Sequence, residues 1–475
     1  MLRNLIAKDI IILSFTVSVI LLTACGRNSM EGMVILTEGR LTMVNPDYIT
    51  GQGWRNLPQS QLTAIDPSNP SAVADVLTSD FYSASSPDIS FDGSKIIFAA
   101  QKNQDDPWQI WEMDLRKLSS RQVTKLQDDC VDPVYLPGNK MVFSRQIQND
   151  SLKAGYTLFS CNLDGSELRR LTFNPHTFFA SSILKDGRII AISRQVFPSV
   201  SKANYMVLRP DGTKAELFYD CTEGNELVSN CQETVDGKIY FIEREQTAGK
   251  SRIVSIDYNR PLHSRKPVSG TDGDYTSVLS MSDGSFLVAG RIGTDKKFVL
   301  YTYDMKNGKT GSKLYESADN DIIDALLVKA YERPRKLPSE VDFGVKTGLM
   351  LCQNINVTGM NSPETGFSLP LADKIEIIGV DSSLGFVKVE SDGSVYLKVA
   401  ADMPFRIRTL DSKGSVVNGP GGWYYLRPNE RRGCIGCHED SEMVPANRYA
   451  VAVSKNPVSV PVHFEGVKEK EVELE

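Results

Sequence analysis

A short run near the C-terminus contains the residues of this chain that are best suited to chemistry. It reads Arg-Arg-Gly-Cys-Ile-Gly-Cys-His-Glu over residues 431–439, so that Cys434, Cys437 and His438 form a Cys-x-x-Cys-His motif. Two thiols at this spacing can each add to one vinyl group of a porphyrin, and the imidazole that follows can bind the iron axially. The motif therefore predicts one covalently attached c-type haem, with His438 as a ligand of the haem iron.

The same pair of cysteines has two alternative uses, as a redox dithiol or as half of a zinc site. A four-cysteine zinc site needs a second Cys-x-x-Cys, and the sequence has none. A thioredoxin-like dithiol follows a strand and begins a helix, and residues 423–430 (Trp-Tyr-Tyr-Leu-Arg-Pro-Asn-Glu) do not prepare that arrangement. Haem attachment is the prediction, provided that the chain is exported.

The second axial position of such a haem has few candidates, because the chain contains four histidines. His463 and Met443 lie nearest to the motif and are the predicted sixth ligands if that position is filled, although Met443 also suits a packing role. His176 and His263 fall within the repeated region and are interpreted as ordinary loop histidines. A filled position favours electron transfer, and an open one favours chemistry on a small molecule. We expect an open or weakly bound position at a domain junction.

The N-terminus predicts export. Arg3 and Lys8 precede an apolar run over residues 10–22, which is short for a membrane span, and Leu-Thr-Ala-Cys-Gly follows at 22–26. This is the pattern of a signal peptide over residues 1–24 that ends in a lipobox, with lipid on Cys25; a retained membrane anchor is the alternative. We expect a protein tethered to a bacterial membrane, in the periplasm or at the cell surface. The outer membrane is favoured, because no acidic residue follows Cys25.

Composition describes an ordinary globular protein behind that anchor. Hydrophobic residues make up 41% of the 475 residues and charged residues 24%, which leaves room for two or more domains. The net charge of −6 and the lack of a basic cluster argue against a nucleic-acid partner. Five cysteines remain after the motif and the lipobox, and an odd number leaves at least one thiol unpaired. Cys221 and Cys231 are the pair best spaced for a local disulfide, and the others are Cys130, Cys161 and Cys352.

A repeat occupies most of the chain before the motif. Residues 86–98 (Ser-Pro-Asp-Ile-Ser-Phe-Asp-Gly-Ser-Lys-Ile-Ile-Phe) read as a strand, an Asp-Gly turn and a second strand. Related turns lie near residues 138, 186, 236 and 283, and most copies are followed by a further hairpin. A period in the high forties with four strands per unit predicts a β-propeller. We predict six blades, with seven or a pair of β-sandwiches as alternatives, and expect strands at 33–37 and 61–66 to complete the last blade with the strands after Asp319.

The repeat ends at the proline-containing segment 331–338, which predicts a domain junction, and the spacing of the strands differs beyond it. Apolar strands at 374–380, 385–390, 392–400, 405–411 and 422–426 predict a small antiparallel β domain that leads into the motif. The predicted fold class is therefore all-β. The predicted divisions are a lipidated linker at 25–32, a propeller at 33–333, a haem domain at 334–455 and a mobile tail at 456–475.

Several segments resemble known families. The run Ser-Pro-Asp-Ile-Ser-Phe-Asp-Gly at 86–93 is similar to the repeats of TolB-type propellers. Three further runs, at 392–396 (Asp-Gly-Ser-Val-Tyr), 401–405 (Ala-Asp-Met-Pro-Phe) and 428–439, resemble the hydrazine synthase alpha subunit family. That resemblance covers nearly all of the mature chain and is most specific from 385 to 440. It implies a propeller and a haem-bearing middle domain, in a broader family that includes exported cytochromes.

Two departures from that family argue against the synthase reaction. The resemblance implies a second haem in a further C-terminal domain, and this sequence has no second Cys-x-x-Cys-His. It also implies a tyrosine ligand four residues past the motif histidine, with that histidine diverted to zinc. Glu442 stands at this position, and the nearest downstream tyrosine is Tyr449. We therefore predict His438 as the proximal ligand and Glu442 as a solvated residue, and we do not expect hydrazine synthesis.

Three functions remain open from the sequence. The first is an exported, lipid-anchored mono-haem cytochrome for electron transfer or redox sensing, with a redox partner on the propeller. The second is a haem-dependent oxidoreductase that acts on a small nitrogen or oxygen compound. The third is a lipoprotein whose propeller binds a partner and whose haem is incidental.

Overall fold

The computed structural model describes residues 30–41, 46–55, 57–70, 73–147, 155–270, 273–358, 369–436, 442, 444 and 447–461. The predicted lipid site at Cys25 and the predicted haem residues Cys437, His438, Met443 and His463 lie outside these residues. Regular structure in the described ranges is strand apart from one short 3-10 helix, Val451–Ser454. The described residues contain no helix with the length and apolar character that a membrane span requires.

Six sheets follow one another over residues 34–327 within the described chain. Their strands are β1 (Val34–Gly39), β2 (Gln61–Ile65), β3 (Asp75–Val76), β4 (Ser83–Ile89), β5 (Lys95–Gln101), β6 (Gln109–Asp114), β7 (Ser119–Gln122), β8 (Cys130–Leu136), β9 (Lys140–Ile147), β10 (Gly155–Asn162), β11 (Arg169–Arg170), β12 (His176–Ile183), β13 (Ile189–Gln195), β14 (Ala203–Leu208), β15 (Glu216–Asp220), β16 (Asn225–Leu227), β17 (Gln232–Glu233), β18 (Lys238–Glu245), β19 (Ser251–Asp257), β20 (Lys266–Pro267), β21 (Gly273–Ser280), β22 (Phe286–Ile292), β23 (Val299–Asp304), β24 (Lys309–Tyr315) and β25 (Asp321–Leu327).

Each of these sheets is an antiparallel meander that contacts the next sheet along the chain. The ring closes where β25 pairs with β1, which gives the order β25-β1-β2-β3. The N-terminal strands therefore complete the sheet that the last strand begins, as the sequence predicts. Closure of this kind removes the exposed edges that an open row of sheets would leave. The prediction of an all-β fold is confirmed.

Burial within a sheet falls from the inner strand to the outer strand. All seven residues of β8 are buried, whereas the outer strand β7 is half exposed. Near the centre of the ring, neighbouring sheets cover both faces of each sheet, so the inner strands are apolar runs. The outer strands lack this cover and are more polar. This difference explains why the outer strands left the weaker signal in the sequence.

The Asp-Gly turns of the repeat take the conformation that their residues suit. Gly93 has a φ of 72° and Gly187 a φ of 90°, both in the left-handed region that glycine enters at little cost. The Asp92 carboxylate accepts a hydrogen bond from the Ser94 amide at 3.0 Å and so closes its turn. These turns are therefore fixed locally, which is why the sequence located them correctly.

The linker after the ring, residues 328–338, lies across the same turns as a strap. The Tyr331 amide donates to the Phe91 carbonyl at 3.0 Å, and the Arg335 amide donates to the Lys185 carbonyl at 3.1 Å. A Cβ at Gly93 would lie 2.8 Å from strap backbone atoms, and one at Gly187 would collide with the Arg335 carbonyl. Glycine is thus required at these two turns for contact with the strap as well as for the turn itself.

A second domain of two four-stranded sheets follows the strap. The strands are β26 (Thr347–Cys352), β27 (Lys374–Ile378), β28 (Ser383–Lys388), β29 (Val395–Ala400), β30 (Arg406–Leu410), β31 (Val416–Asn418), β32 (Arg431–Cys434) and β33 (Val458–Val460). The orders are β32-β26-β29-β33 and β28-β27-β30-β31, and one apolar core lies between the two sheets. β33 lies past the predicted domain boundary at residue 455.

The second domain is not purely antiparallel, so that part of the prediction is wrong. β32 runs parallel to β26, and β33 runs parallel to β29. Parallel neighbours need a long connection, and here residues 353–430 separate β26 from β32 and residues 401–457 separate β29 from β33. The haem motif predicted from the sequence therefore begins on a parallel edge strand, an arrangement that strand periodicity does not reveal.

Candidate functional site

The first cysteine of the motif ends an ordered strand. Cys434 is the last residue of β32 and lies in register with Cys352 of β26. The pairing continues beyond the strand, because the Gln353 amide donates to the Cys434 carbonyl at 2.9 Å and the Asn354 amide donates to the Ile435 carbonyl at 3.1 Å. The side chain of Cys434 is half-buried against the core of the second domain. This cysteine is therefore held by backbone pairing on its own sheet.

The backbone just after Cys434 also depends on a glycine. Gly436 is buried, and a Cβ there would collide with the Val357 carbonyl. Only glycine lets the backbone pass this close to the loop after β26. The described part of the motif, residues 434–436, therefore runs alongside the loop that follows β26. A haem attached through the motif would be held at the end of this sheet.

A buried carboxylate ties the start of this strand to the propeller. Glu430 is 0% exposed, and its Oε1 accepts from the Lys214 amide at 2.9 Å and from Arg432 at 3.1 Å. Its Oε2 accepts from the Arg427 amide at 2.8 Å. Lys214 also donates through Nζ to the Arg431 carbonyl. In the sequence, Glu430 stood out only as part of the segment 428–439 that resembles a known family. Its structural role depends on Lys214, which is 216 residues away.

Aromatic and cationic groups extend this interface. Tyr425 is buried and donates to the Gly212 carbonyl at 3.1 Å, and Trp423 donates to the Phe197 carbonyl at 2.9 Å. The Arg427 guanidinium lies 4.6 Å from the ring centroid of Phe173. The second domain is thus docked on the sheet β12–β15 and its neighbour rather than joined by the strap alone.

Glu442, four residues past His438, is tied to a different part of the propeller. Glu442 Oε1 accepts from the Leu262 amide at 2.7 Å, and Glu442 Oε2 lies 3.4 Å from Arg260 Nε. The Glu442 side chain is only 12% exposed. The expectation that Glu442 is solvated is therefore wrong, because the connection between β19 and β20 covers it. Its role is visible only once distant parts of the chain are brought together.

The two propeller histidines occupy different environments. His176 is the first residue of β12, and its Nδ1 lies 2.8 Å from Ser193 Oγ. Burial lowers the pKa of this imidazole to about 3, so it is a neutral strand residue rather than the loop histidine predicted. His263 does lie in a loop, between β19 and β20, and is exposed. Its amide donates to the Arg260 carbonyl at 3.2 Å, in the same loop that holds Glu442.

The segment after the motif is fixed by the Asp-Gly-Ser turn of residues 392–394. Asp392 accepts from the Val451 amide at 2.9 Å, and the Ser394 hydroxyl accepts from the Ala452 amide at 2.9 Å. Hydrogen bonds to its carboxylate hold the pKa of Asp392 down at about 2 although burial opposes this. Tyr449, between these anchors and the motif, is 73% exposed.

The propeller carries a second candidate site on its axis. A cavity of about 810 Å³ is lined by the inner strands of the sheets and covered on one side by the strap. Two of its lining residues, Asp132 and Asn230, accept hydrogen bonds from the buried Arg55 guanidinium at 2.7 Å and 3.0 Å. Burial raises the pKa of Asp88, which also lines this cavity, to about 7. No residue of the described motif lines it, so the cavity and the predicted haem attachment point are separate places.

The cysteines of the propeller are structural. Cys221 and Cys231 are both buried and unbonded, so the disulfide predicted between them is wrong. Both thiols belong to the apolar core, where Cys221 Sγ lies 4.0 Å from a Glu243 carboxylate oxygen. Burial raises the pKa of the Cys231 thiol to about 12, which keeps it protonated and unreactive. Among the described residues no cluster of histidine, cysteine, aspartate and glutamate could hold a metal ion.

These observations first define a class: an all-β protein in which a closed ring of sheets carries a docked two-sheet domain with a Cys-x-x-Cys-His motif. Residues 355–439, which include that motif, match the family model of the hydrazine synthase alpha subunit middle domain. The chain is also similar to the hydrazine synthase subunit alpha of Kuenenia stuttgartiensis, with 22% identity over 500 residues. That match covers 77% of this chain and 61% of the relative, so the chain spans less than two thirds of that protein.

The fold similarity extends further than the family match. The structure of Kuenenia stuttgartiensis hydrazine synthase superimposes with a TM-score of 0.76 at 20% identity, covering 89% of this chain and 71% of that one. TolB from Acinetobacter baumannii is a weaker match, with a TM-score of 0.44 at 14% identity over 64% of this chain and 69% of that one. The first similarity shows that the propeller and the docked domain together form a known architecture.

Proposed function

We propose that this protein is an exported, lipid-anchored cytochrome that carries one c-type haem on Cys434 and Cys437, with His438 as proximal ligand. The observation that carries the proposal is the position of Cys434, which ends an ordered edge strand. Glu430, just before that strand, and Glu442, eight residues after it, are both bonded to the propeller. A fixed attachment point between two docked domains suits a cofactor that must not move.

Each of these residues would have a separate role in holding the haem. The two thiols form the thioether links, and the imidazole binds iron. Glu430 holds the attachment strand at its fixed distance from the propeller through the Lys214 amide. The bound haem would supply a one-electron couple, and its role would be electron transfer or redox sensing. A redox protein that docks on the propeller is the proposed partner.

The first experiment measures covalent haem by a pyridine haemochrome spectrum after denaturation. We expect one haem in the wild-type protein and none in the Cys434→Ala/Cys437→Ala variant. Cys161→Ala is the matched control, because this cysteine is buried in the propeller core and should retain haem. Haem that survives denaturation of the double variant would contradict the proposal.

Location is part of the same proposal. We propose that Cys25 carries lipid and anchors the protein outside the cytoplasm, with the outer membrane favoured. Cys25→Ser should leave an unprocessed precursor or a soluble protein, measured by membrane fractionation and by mass spectrometry of the N-terminus. A wild-type protein without lipid that fractionates as freely soluble would overturn the anchor.

An oxidoreductase is the second candidate, and the similarity to hydrazine synthase subunit alpha favours it. An enzyme of this kind would act on a small nitrogen or oxygen compound at an open haem, and we do not propose hydrazine synthesis itself. Carbon monoxide or nitric oxide should then change the spectrum of the reduced wild-type protein at once. A binding lipoprotein is the third candidate, favoured by the axial cavity, and it requires no haem signal at all.

A further inference from the structure

The axial cavity of the propeller is bounded at its two ends by different parts of the chain. β1 and β25 are antiparallel, with Val34 opposite Leu327, so the loop after β1 and the strap after β25 leave opposite ends of their sheet. The described part of that loop, residues 46–55, fills one end of the ring, where Trp54 Nε1 donates to the Val228 carbonyl at 3.1 Å. The strap lines the other end. A ligand in the cavity would therefore enter beside the strap.

The strands that line the cavity supply negative charge only. They contribute the carboxylates of Asp88, Asp132, Glu233 and Asp324 and no lysine or arginine. On the strap and the nearby turns, cations and carboxylates occur together in the lining: Lys185, Lys329, Arg333, Arg335, Asp236 and Glu332. The excess of negative charge therefore belongs to the strands rather than to the entrance.

Two of the strand carboxylates have no counter-charge. Asp88 Oδ2 accepts from the Tyr135 amide at 2.7 Å, and Asp324 Oδ1 accepts from the amide of the next residue at 2.9 Å. Neither carboxylate forms an ion pair within the described chain. Burial raises the pKa of both groups, although the charge of Arg55 opposes this for Asp324. In their ionised form these side chains weaken the fold unless a cation joins them.

A buried hydroxyl in the same lining lacks a partner as well. Ser181 is 1% exposed, and its Oγ has no hydrogen-bond partner among the residues that the structure describes. Buried polar atoms in proteins are normally bonded, so an orphaned one indicates a place where a ligand can bond. An ammonium group in the cavity can donate to this hydroxyl as it can to the carboxylates.

Strained backbone lies in the strands that form the lining. Ser86, Asp132 and Ala180 have φ values of 53°, 50° and 51°, and each lies at a bulge in its strand. Residues other than glycine adopt this conformation at a cost, and bulges re-aim side chains next to binding sites. Here the side chains of Ser86 and Asp132 both accept from the Arg55 guanidinium. The ring therefore already holds one organic cation, which is part of the chain itself.

We propose that the axial cavity binds a small organic amine in its ammonium form, with the carboxylates of Asp88 and Asp324 as its anionic partners. The cavity volume of about 810 Å³ lies in the range of small-molecule sites. Within the described ranges no group of three histidine, cysteine, aspartate or glutamate side chains could hold a metal ion, which favours an organic cation. This site is separate from the proposed haem attachment and does not depend on it.

The test is isothermal titration calorimetry of the full chain with 1,5-diaminopentane at pH 8. We expect saturable binding by the wild type, and a loss of affinity of about tenfold or more in Asp88→Asn and in Asp324→Asn, because each variant removes one charged partner. Asp105→Asn is the matched control, since it removes an exposed carboxylate from the loop between β5 and β6 and should bind as the wild type does. 1,5-Pentanediol has the same carbon chain without charge, and glutarate has the opposite charge, so neither should bind.

The possible results separate this site from the proposed haem. A wild type without saturable diamine binding overturns the inference, and so does either aspartate variant that binds as tightly as Asp105→Asn. Pentanediol or glutarate binding as tightly as the diamine also overturns it, because the site would not select a cation. Asp88→Asn removes a buried charge and should unfold no earlier than the wild type at pH 8, so a loss of binding in that variant is not misfolding. A wild type that binds the diamine and carries no haem contradicts the proposed function alone.

Discussion

The buried ion pair on the propeller axis permits a quantitative prediction. Arg55 enters from the loop between β1 and β2 and is 6% exposed, and its partner Asp132 is 2% exposed. The guanidinium is 2.7 Å from Asp132 Oδ1, and it also donates to Asn230 at 3.0 Å and to Ser86 at 3.3 Å. Arg55→Met removes the charge and keeps most of the apolar stem. The variant leaves the Asp132 carboxylate without its cation inside the ring.

The size of the effect follows from burial. Removing one partner of a buried ion pair costs roughly 3–5 kcal/mol, because the remaining charge is neither solvated nor paired. A ring of about 300 residues has an entropy of unfolding on the order of 0.6 kcal/mol per kelvin, so Tm should fall by roughly 5–8 °C. Asp132 keeps one hydrogen bond in the variant, from the Ala180 amide at 2.7 Å, and that bond alone does not neutralise it.

The assay is thermal unfolding of the wild type, Arg55→Met, Asp132→Asn and the double variant at pH 7. We expect the double variant to unfold at a higher temperature than Arg55→Met, since residue 132 no longer carries an unpaired carboxylate. Lys140→Met is the control, because its ion pair with Glu167 is about half exposed and contributes no more than about 1 kcal/mol. A Tm for Arg55→Met within 2 °C of that control would refute the reasoning.

Three further predictions concern other buried or predicted groups. His438→Ala should strongly perturb the iron spectrum of the proposed haem; an unchanged spectrum, together with a changed one in Tyr449→Phe, would indicate tyrosine ligation instead. Burial raises the pKa of Asp88 to about 7, because the buried site favours the neutral carboxyl. The contribution of this group to stability is therefore fully present below its unfolded pKa near 4 and is lost as the pH rises through 7. Asp88→Asn should therefore raise Tm at pH 8, and the gain should vanish below pH 4; a gain that is equal at both pH values would contradict this. Glu430→Ala leaves the Lys214 and Arg427 amides without their acceptor, at a cost of roughly 1–3 kcal/mol each. Glu430→Gln should recover part of this lost stability, measured as Tm and as amide exchange at residues 209–214.

The parts of the fold that the sequence predicted are those that local chemistry determines. An Asp-Gly turn needs a positive φ at glycine and a carboxylate that accepts a nearby amide, and both requirements appear within four residues at Asp92 and Gly93. The repeat of such turns was enough to place the strands on either side. The pairing of β25 with β1 could also be inferred, because a ring of sheets is incomplete without it.

The parts that the sequence missed depend on distant partners. Nothing near Arg55 indicates that its guanidinium will be buried against a carboxylate 77 residues away. The parallel pairing of β32 with β26 depends on where the long connection between them delivers the chain, and strand periodicity carries no information about that. The role of Gly436 was equally hidden, since it arises from contact with the Val357 carbonyl rather than from a turn type.

Glu442 is a residue whose role in the folded structure differs from the one its local sequence suggests. The family resemblance implies a metal-binding tyrosine at its position, and the sequence alone suggested that a glutamate there had simply lost that function. In the structure both carboxylate oxygens face the propeller, one accepting from the Leu262 amide and the other close to Arg260. A charge-assisted bond of this kind is worth more than a neutral one, and a carboxylate that left it for iron would abandon a nearly buried amide donor. Residue 442 therefore serves as a docking contact between this segment and the propeller.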